Sequence, residues 1–261
     1  MTLLDPVRLK AALGALAVRF DVDALDQCAS TNDEIARRAA ANAPSGTVVV
    51  ADRQSAGRGR RGRHWLSAPE SSLTFSMLWR FGGSPSALSG LSLAVGVALA
   101  RALSCLGARG VHLKWPNDVL WLNEGQAAKL AGVLIELSSD RRATQVIIGI
   151  GLNLAPPVGD LGQPVAGLGQ TGAVVERHQV LAAVLAALHE VLAIFAVDGF
   201  AALKNEWQTL NAWQDRPVVV LGDAAGISGV CRGADDDGAL LVETDAGLQR
   251  VLAGDLSLRG A

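Results

Sequence analysis

The chain has 261 residues, of which 50% are hydrophobic and 18% are charged, so it can bury a large core and is not disordered. Its 23 Lys and Arg against 25 Asp and Glu give a formal net charge of -2, so no global positive field attracts nucleic acid or anionic membrane. The three cysteines lie far apart, without disulfide or zinc spacing, which favours a reducing, cytoplasmic environment.

The N-terminal part of the chain predicts two helices and a strand before a loop rich in glycine and arginine. Residues 6–18 have a helical pattern. Residues 1–20 lack the uninterrupted apolar stretch and cleavage site of a secretory signal. Thr31 and Glu34 have the spacing of a capping box, which predicts a helix over residues 35–41. Residues 47–51 are β-branched and apolar, so they predict a strand that runs into the loop.

The middle of the chain alternates apolar strands with long apolar helices, which predicts a sheet covered by helices. The predicted strands are residues 73–79, 111–115, 133–137 and 145–150, and the predicted helices are residues 88–106 and 180–197. The second helix is apolar enough to suggest a membrane span, but His189 and Glu190 interrupt it. Its apolar residues recur at helical spacing, so we expect a buried helix and no membrane association.

The pattern changes at Asp215, Arg216 and Pro217, where short strands separated by Gly and Asp turns begin. These strands are residues 218–221, 227–231, 239–243 and 249–252. Their length and regular spacing predict a small β-barrel. We therefore expect two domains, a larger one over residues 1–213 and the barrel over residues 214–261.

The strongest motif is the loop over residues 57–63, the Gly/Arg loop, which packs four arginines among three glycines. Glycines let a backbone approach a ligand closely, and guanidinium groups match phosphate and carboxylate oxygens. The loop therefore predicts an anion site, although a solvated basic loop or an RG-type contact to nucleic acid would have the same composition. Gly57 to Gly62 also match a dinucleotide-binding fingerprint formally, but no helix is predicted to follow, so we discount that match.

Further motifs lie at the ends of predicted strands. Residues 114–118 place a cation, an aromatic ring and a carboxylate at the end of a predicted strand. Lys129 precedes a buried predicted strand, and residues 149–153 lie at the end of another predicted strand. Taken alone, each has a simpler interpretation, as a turn or a surface lysine. Ser30 and Thr31 equally satisfy a helix cap without any ligand. The chain contains no GK[ST] sequence, so a P-loop nucleotide site is excluded.

The chain resembles the biotin protein ligases over residues 26–259. The resemblance rests on three motifs in this order: the Gly/Arg loop followed by His-Trp, then Lys-Trp-Pro-Asn-Asp, then Lys-Leu-Ala-Gly. The resemblance implies an α+β fold with a mixed sheet and helices, like that of class II aminoacyl-tRNA synthetases, plus a C-terminal SH3-like β-barrel. It implies a ligase that uses ATP and Mg²⁺ to form biotinyl-5'-adenylate in the larger domain and transfers biotin to a lysine. The implied acceptor is the biotin carboxyl carrier protein of acetyl-CoA carboxylase.

The resemblance also implies roles for individual residues, and it predicts no protein ligands for a metal. The implied catalytic residues are Lys129, Asp118 and Arg60. The implied biotin-binding residues are Ser30, Thr31, Asn32, Gln54, Arg58, Gly59, Arg60 and Lys129. The implied ATP and adenylate contacts are Gly57, Arg58, Arg60, Arg61, Arg63, Trp65, Asn117 and Asn153. We expect the Gly/Arg loop to close over the adenylate.

Two departures and two rival functions bear on these expectations. The stretch between Asp118 and Lys129 looks longer than in the family, which leaves the structure there open. Because Ser30 already belongs to the first motif, we expect a monofunctional enzyme without an N-terminal helix-turn-helix domain or operator DNA binding; homodimerisation stays open. Lipoate protein ligase resembles this fold and chemistry but lacks the Gly/Arg loop paired with Lys-Trp-Pro-Asn-Asp. A nucleic-acid-binding module would need a wider basic surface than the net charge of -2 indicates.

Overall fold

The structure is a computed structural model that describes residues 3–139, 143–157, 162–222, 226–254 and 256–260. Its helices are α1 (Pro6–Leu13), α2 (Thr31–Ala40), α3 (Leu91–Cys105), α4 (Arg177–Asp198) and α5 (Lys204–Leu210). Its first strands are β1 (Asp21–Cys28), β2 (Thr47–Gln54), β3 (Ser72–Gly82), β4 (Val111–Lys114), β5 (Asp118–Asn123), β6 (Gln126–Ser139) and β7 (Ala143–Asn153). The remaining strands are β8 (Pro217–Leu221), β9 (Ile227–Ala234), β10 (Leu240–Thr244), β11 (Gly247–Val251) and β12 (Ser257–Gly260).

The first seven strands form one mixed sheet in the order β1-β2-β3-β7-β6-β5-β4. β1 and β2 run parallel, whereas β2 with β3 and each later neighbouring pair run antiparallel. The centre of this sheet is the long β3–β7 pair, which is in register from Ser72 opposite Asn153 to Gly82 opposite Ala143. Because side chains alternate along a strand, this register decides which residues share a face.

The two faces of the sheet have different chemistry. On one face, Leu73, Phe75 and Met77 of β3 belong to the main hydrophobic core. On the other face, Leu78 packs with Ile35 of α2, but nearer the start of β3 that face carries Thr74, which lines a cavity described below. The functional site therefore lies on the face that α2 covers only in part.

Helices α3 and α4 pack against each other and supply much of the main core. Two helical segments of the described chain, Pro85–Cys105 and Arg177–Asp198, are long and apolar enough to cross a membrane by length and composition alone. Such segments also occur as core helices, and Leu181, Val184 and Leu188 are fully buried within the protein. The expected buried helix over residues 180–197 therefore matches α4.

The last five strands form an antiparallel sheet in the order β11-β10-β9-β8-β12. This sheet packs onto the first part of the chain, where Trp115 Nε1 donates to Gly238 O at 3.1 Å and Ala212 N donates to Leu113 O at 2.9 Å. A mixed sheet with helices, followed by a separate C-terminal β sheet, confirms the predicted α+β class. The division of the domains between residues 213 and 214 stays a prediction.

Two predicted elements differ from the structure near the N-terminus. The helix expected over residues 6–18 ends at Leu13, because Gly14 has φ 55°, and a 3-10 helix (Gly14–Arg19) follows. The predicted capping box is also wrong. Ser30 is the N-cap residue of α2 and makes no side-chain capping bond, while Thr31 N donates to Gln54 Oε1 at 2.7 Å. A glutamine from the neighbouring strand thus replaces the local cap.

Sequence patterns missed β1 and did not resolve the stretch between Asp118 and Lys129. β1 carries three aspartates, a residue type depleted in strands, and it forms an edge of the sheet. The stretch after Asp118 forms the β5–β6 hairpin, in which Asn123 pairs with Gln126. Glu124 and Gly125 have φ 50° and 81°, as a two-residue type I′ turn requires.

Candidate active site

A cavity of about 340 Å³ lies on the α2 side of the sheet, below the Gly/Arg loop. Its lining brings together most of the site residues that the sequence predicts. These are Ser30, Thr31, Asn32, Gln54, Arg58, Gly59, Arg60, Arg63, Trp65, Asn117, Lys129 and Asn153. Gly57, Arg61 and Asp118 are not among its lining residues, although Asp118 contacts Lys129 directly.

One end of the cavity is a network of uncharged polar side chains. Gln54 Oε1 accepts from both the backbone N and the Oγ1 of Thr31, at 2.7 and 3.1 Å. Ser76 Oγ lies 2.7 Å from Thr31 Oγ1 and 2.6 Å from Asn32 Oδ1. Thr31, Asn32 and Ser76 are buried, so their hydroxyl and amide groups hold fixed directions. This end, the polar end, suits a neutral ligand group that both donates and accepts hydrogen bonds.

Two glycines of β7 let side chains approach the floor of the cavity. A Cβ atom at Gly149 would lie 2.2 Å from Asn32 Oδ1, and one at Gly151 would lie 2.2 Å from Trp65 Cε2. Real Cβ atoms do not tolerate such distances, so any larger residue would displace Asn32 or Trp65. The glycines in residues 149–153 are therefore needed for packing and do more than form a turn.

The Gly/Arg loop is closed by backbone hydrogen bonds. Trp65 N donates to Gly57 O at 2.9 Å, and Gly59 N donates to Arg63 O at 2.7 Å. At the tip, Arg61 has φ 60°, in the left-handed region. A Cβ at Gly57 would lie 2.5 Å from Trp65 O, so this position needs glycine even though it does not touch the cavity.

The arginines of the loop point to different partners. Arg58 lines the cavity, but its Nη2 is paired with Asp33 Oδ1 at 2.6 Å and with Glu136 Oε1 at 3.2 Å. Arg60 Nη1 donates to Asn117 Oδ1 at 3.2 Å, and its Nη2 donates to Gly254 O. Arg60 thereby joins the loop both to the residues after β4 and to the C-terminal part of the chain.

The opposite end of the cavity, the cationic end, is built around Lys129. Lys129 Nζ lies 2.6 Å from Asp118 Oδ1 and 5.8 Å from the centre of the Trp65 ring. Asn153 Nδ2 donates to Lys129 O at 3.3 Å, which fixes the start of β6 beside the end of β7. Lysine, aromatic ring and carboxylate are thus held together at one end, but only the carboxylate comes from the motif over residues 114–118. Trp115 of that motif is instead buried in the core, where its Nε1 donates to Gly238 O.

Lys114 adds a perturbed ammonium group to this end. Burial lowers the pKa of Lys114 to about 8, and the nearby Asp118 carboxylate opposes the shift. Three further cations add to the lowering, and they are Arg259, Lys129 and Arg63. Lys114 and Lys129 are half-buried, whereas Arg63 and Arg259 are exposed. The mutual repulsion of these cations is relieved when an anion binds between them, so the cluster favours a phosphate or a carboxylate.

Comparison with known proteins identifies the family. Residues 25–153 match a family model described as the Biotin/lipoate A/B protein ligase family, and residues 215–259 match the Biotin protein ligase C terminal domain. The biotin--[acetyl-CoA-carboxylase] ligase of Paracoccus denitrificans is 35% identical over 240 residues, which cover 88% of this chain and 98% of that protein. The chain belongs to the biotin protein ligase family.

Further members of the biotin protein ligase family agree in sequence and in structure. The bifunctional ligase/repressor BirA of Escherichia coli is 39% identical over 222 residues, covering 83% of this chain and 68% of that protein. The biotin protein ligase of Aquifex aeolicus, solved in complex with biotin and ATP, superposes with a TM-score of 0.78 at 33% identity. That comparison covers 92% of this chain and 99% of the Aquifex chain. The chain is thus an ATP-dependent ligase of this family.

Several residues of this ligase's site were missed by sequence reasoning. Ser76 and Thr74 alternate on β3, so polar residues at a spacing of two within a buried strand were the available signal. Glu136, which accepts from Asn32 Nδ2 at 2.6 Å, lies near the C-terminal end of β6. Arg259 lines the cavity from β12, and no local pattern links it to motifs more than 100 residues earlier.

Proposed function

We propose that this ligase converts biotin and ATP to biotinyl-5'-adenylate and then transfers biotin to a lysine of a biotin carboxyl carrier domain. The observation that carries the proposal is the bipolar cavity, with neutral hydrogen-bonding groups at one end and a cluster of cations at the other. Biotin has the matching order of groups: a ureido ring that donates and accepts, an apolar middle and a carboxylate. A family member's solved structure contains biotin together with ATP, which supports the same pair of substrates here.

The polar end is proposed to bind the ureido ring. Thr31 and Asn32 line the cavity and present a hydroxyl and an amide, and the fully buried Ser76 joins them in one connected network. Such a network can reorient its O–H protons to meet both the carbonyl and the N–H groups of the ring. Ser30 and Gln54 border the same end and are assigned to it.

The cationic end is proposed to bring together two anions that repel each other. A carboxylate oxygen of biotin forms a bond to the α-phosphorus of ATP, and the bond from that phosphorus to the pyrophosphate oxygen breaks. Lys129 offsets the charge on the carboxylate and the α-phosphate, while Lys114, Arg63 and Arg259 are placed to offset the charge of the phosphates. Arg60, Arg61, Trp65, Asn117 and Asn153 are assigned to adenylate binding.

Magnesium is proposed to arrive with ATP. Among the residues that the structure describes, no three His, Cys, Asp or Glu side chains form a metal cluster, and the nearby Asp118 is paired with Lys129. This donor set fits Mg²⁺ carried mainly by phosphate oxygens and water, which is its usual mode at nucleotide sites. Bound in that way, Mg²⁺ would neutralise part of the charge on the pyrophosphate.

In the transfer step, the neutral amine of the acceptor lysine attacks the acyl carbon of the adenylate, and AMP leaves. The amine must lose a proton, and Asp118 is the proposed group that orients it or accepts that proton. The proposed acceptor is the biotin carboxyl carrier protein of acetyl-CoA carboxylase, and the proposed compartment is the cytoplasm.

The deciding experiment combines calorimetry with a transfer assay. Biotin should bind more tightly than lipoate, and ATP with Mg²⁺ should allow biotin-dependent exchange of labelled pyrophosphate into ATP. A purified carrier domain should then become biotinylated, while its Lys→Arg variant at the acceptor position should not. Tight binding of lipoate without binding of biotin would reject the proposal in favour of lipoate ligation.

A further inference from the structure

Thr74 carries a buried hydroxyl group without a partner at the wall of the active-site cavity. The residue is 3% exposed, and its Oγ1 has no hydrogen-bond partner among the residues that the structure describes. Buried side-chain oxygens are almost always hydrogen-bonded, because an unmet polar group costs free energy. Thr74 also lines the cavity. Its hydroxyl is therefore available to a ligand atom.

The register of the sheet shows what surrounds this hydroxyl. Thr74 lies opposite Gly151 of β7, which in turn lies opposite Gly132 of β6. Beyond Thr74 this row thus continues with two residues that have no side chain, and the space above them holds the Trp65 ring and the end of the Lys129 side chain. The indole of Trp65 reaches over Gly151, and its Nε1 is likewise buried without a partner among the described residues. Two unmet polar groups, Thr74 Oγ1 and Trp65 Nε1, therefore flank the same glycine.

The position of Thr74 along β3 indicates which part of a ligand it would meet. Ser76, two residues further, belongs to the polar end, whereas Ser72 lies opposite Asn153, whose Nδ2 bonds to Lys129 O. Residues two apart on a strand are about 6.7 Å apart on the same face. Thr74 thus lies between the ureido-binding network and the cations, beside the middle of a ligand that spans the cavity.

We propose that Thr74 is a specificity-determining contact, whose hydroxyl donates a hydrogen bond to the ring sulfur of biotin. The proposal rests on the proposed function, because it takes biotin as the ligand and its ureido ring as bound at the polar end. In biotin, the sulfur lies on the side of the bicyclic ring opposite the ureido carbonyl. Thioether sulfur is a weak acceptor, but here it would relieve a hydroxyl that is otherwise unmet.

The test is the affinity of Thr74→Val for biotin and for desthiobiotin, which keeps the ureido ring and the carboxylate but lacks the sulfur. Valine matches the shape of threonine and replaces the hydroxyl with a methyl group. We expect biotin to bind about tenfold more weakly to the variant, since the wild type gains a hydrogen bond and loses an unmet group on binding. The affinity for desthiobiotin should change less than twofold, and Thr74→Ser should restore selectivity for biotin.

Thr144→Val is the matched control. Thr144 is also a fully buried threonine of the same sheet, but its Oγ1 donates to Gly83 O at 3.0 Å and it does not line the cavity. This control should lower the thermal midpoint and leave both affinities unchanged, whereas Thr74→Val should keep or raise the midpoint of the unliganded protein.

Three results would overturn the assignment of Thr74. Equal losses for biotin and desthiobiotin would place the contact at the ureido ring, and unchanged affinity for both would make the hydroxyl purely structural. A wild-type protein that binds neither ligand would reject the proposed function as well. If only the sulfur contact is wrong, the wild type still binds biotin tightly, and Thr74→Val shows no loss that is selective for biotin over desthiobiotin.

Discussion

Lys129 and Asp118 form an ion pair with 2.6 Å between Nζ and Oδ1, in which the two side chains are only 13% and 12% exposed. The proposed function gives the lysine to adenylate formation and the carboxylate to transfer. The residue proposed for adenylate formation is therefore paired electrostatically with the residue proposed for transfer. Removal of one member of a buried pair leaves an uncompensated charge and typically costs about 3–5 kcal/mol. Mutations at either position need a measurement of stability beside the measurement of rate.

We predict that Lys129→Ala slows adenylate formation by about 10²-fold or more, because a preorganised charge at the reacting phosphate is lost. Biotin affinity should fall less, since the polar end is untouched. The rate is measured as biotin-dependent pyrophosphate exchange, and the thermal midpoint is recorded in parallel. Lys204→Ala is a suitable control, because Lys204 pairs with Asp236 at the surface. Unchanged exchange in Lys129→Ala would make the lysine a bystander.

Asp118→Asn should separate the two half-reactions. Asparagine keeps the shape and one acceptor oxygen, so adenylate formation should fall by only a few-fold. Transfer to a carrier lysine should fall by about 10²-fold if the carboxylate acts as a base, in line with typical general-base contributions. Single-turnover transfer from preformed biotinyl-adenylate measures the second step alone. A variant that transfers at the wild-type rate would remove Asp118 from the mechanism.

We predict from the lowered pKa of Lys114 that the protein takes up a proton when ATP binds. Its pKa is lowered to about 8 by burial, so at pH 8 about half of the free protein has a neutral Lys114 amine. Bound phosphates raise this pKa and recruit the missing proton. The enthalpy of ATP binding at pH 8 should therefore depend on the ionisation enthalpy of the buffer, with an uptake of up to about half a proton. Uptake should be smaller at pH 6.5, where the amine is already charged, and absent in Lys114→Met.

The same pKa shift has a consequence for stability without ligand. The folded-state pKa of Lys114 lies below the ordinary lysine value of 10.5, so between about pH 8 and 10.5 the unfolded chain holds more protons at this site. The contribution of Lys114 to the free energy of unfolding therefore rises with pH across that window. In urea titrations, Lys114→Met should flatten this rise relative to the wild type. An identical pH dependence in both proteins would contradict the assigned shift.

Local patterns predicted the parts of the fold that depend on local chemistry. The long apolar segments became α3, α4, β3 and β7, because burial and periodicity agree there. β1 was missed, since its apolar residues are interrupted by aspartates and its strand character comes from pairing with β2. Tertiary pairing overrides weak propensity in such an edge strand.

The residues of the candidate site also fall into those that sequence patterns predicted and those that they missed. Motif residues such as Lys129 and Gln54 were predicted because each lies in a short recognisable string. Arg259 and Glu136 were not, because they reach the site only through the packing of the C-terminal sheet and the register of β6. Arg58 was predicted to bind ligand, and the structure pairs it with Asp33 and Glu136 as well, an arrangement that depends on residues far apart in sequence.

Arg60 links the Gly/Arg loop to two other parts of the protein. A substitution of Arg60 therefore tests whether the loop acts as a lid over the site. Its guanidinium donates to Asn117 Oδ1, on a residue that lines the cavity, and to Gly254 O in the C-terminal part of the chain. We expect the loop to be mobile without ligand, because its glycines are flexible and its arginines repel one another until an anion joins them. An ordered loop would then keep water and stray amines from the reactive anhydride.

Arg60→Gly should therefore leak biotinyl-adenylate. The lost hydrogen bonds to charged groups are worth about 1.5–3 kcal/mol, or roughly 10- to 100-fold in retention of the intermediate, while its formation largely survives. The assay incubates each protein with biotin, ATP, Mg²⁺ and albumin, and compares the biotin incorporated into albumin. Arg37→Ala is the control: it removes one charge from an exposed side chain that pairs with Glu34 on α2 and does not line the cavity. Should Arg60→Gly form adenylate yet label albumin no faster than the wild type or Arg37→Ala, the loop does not retain the intermediate through Arg60.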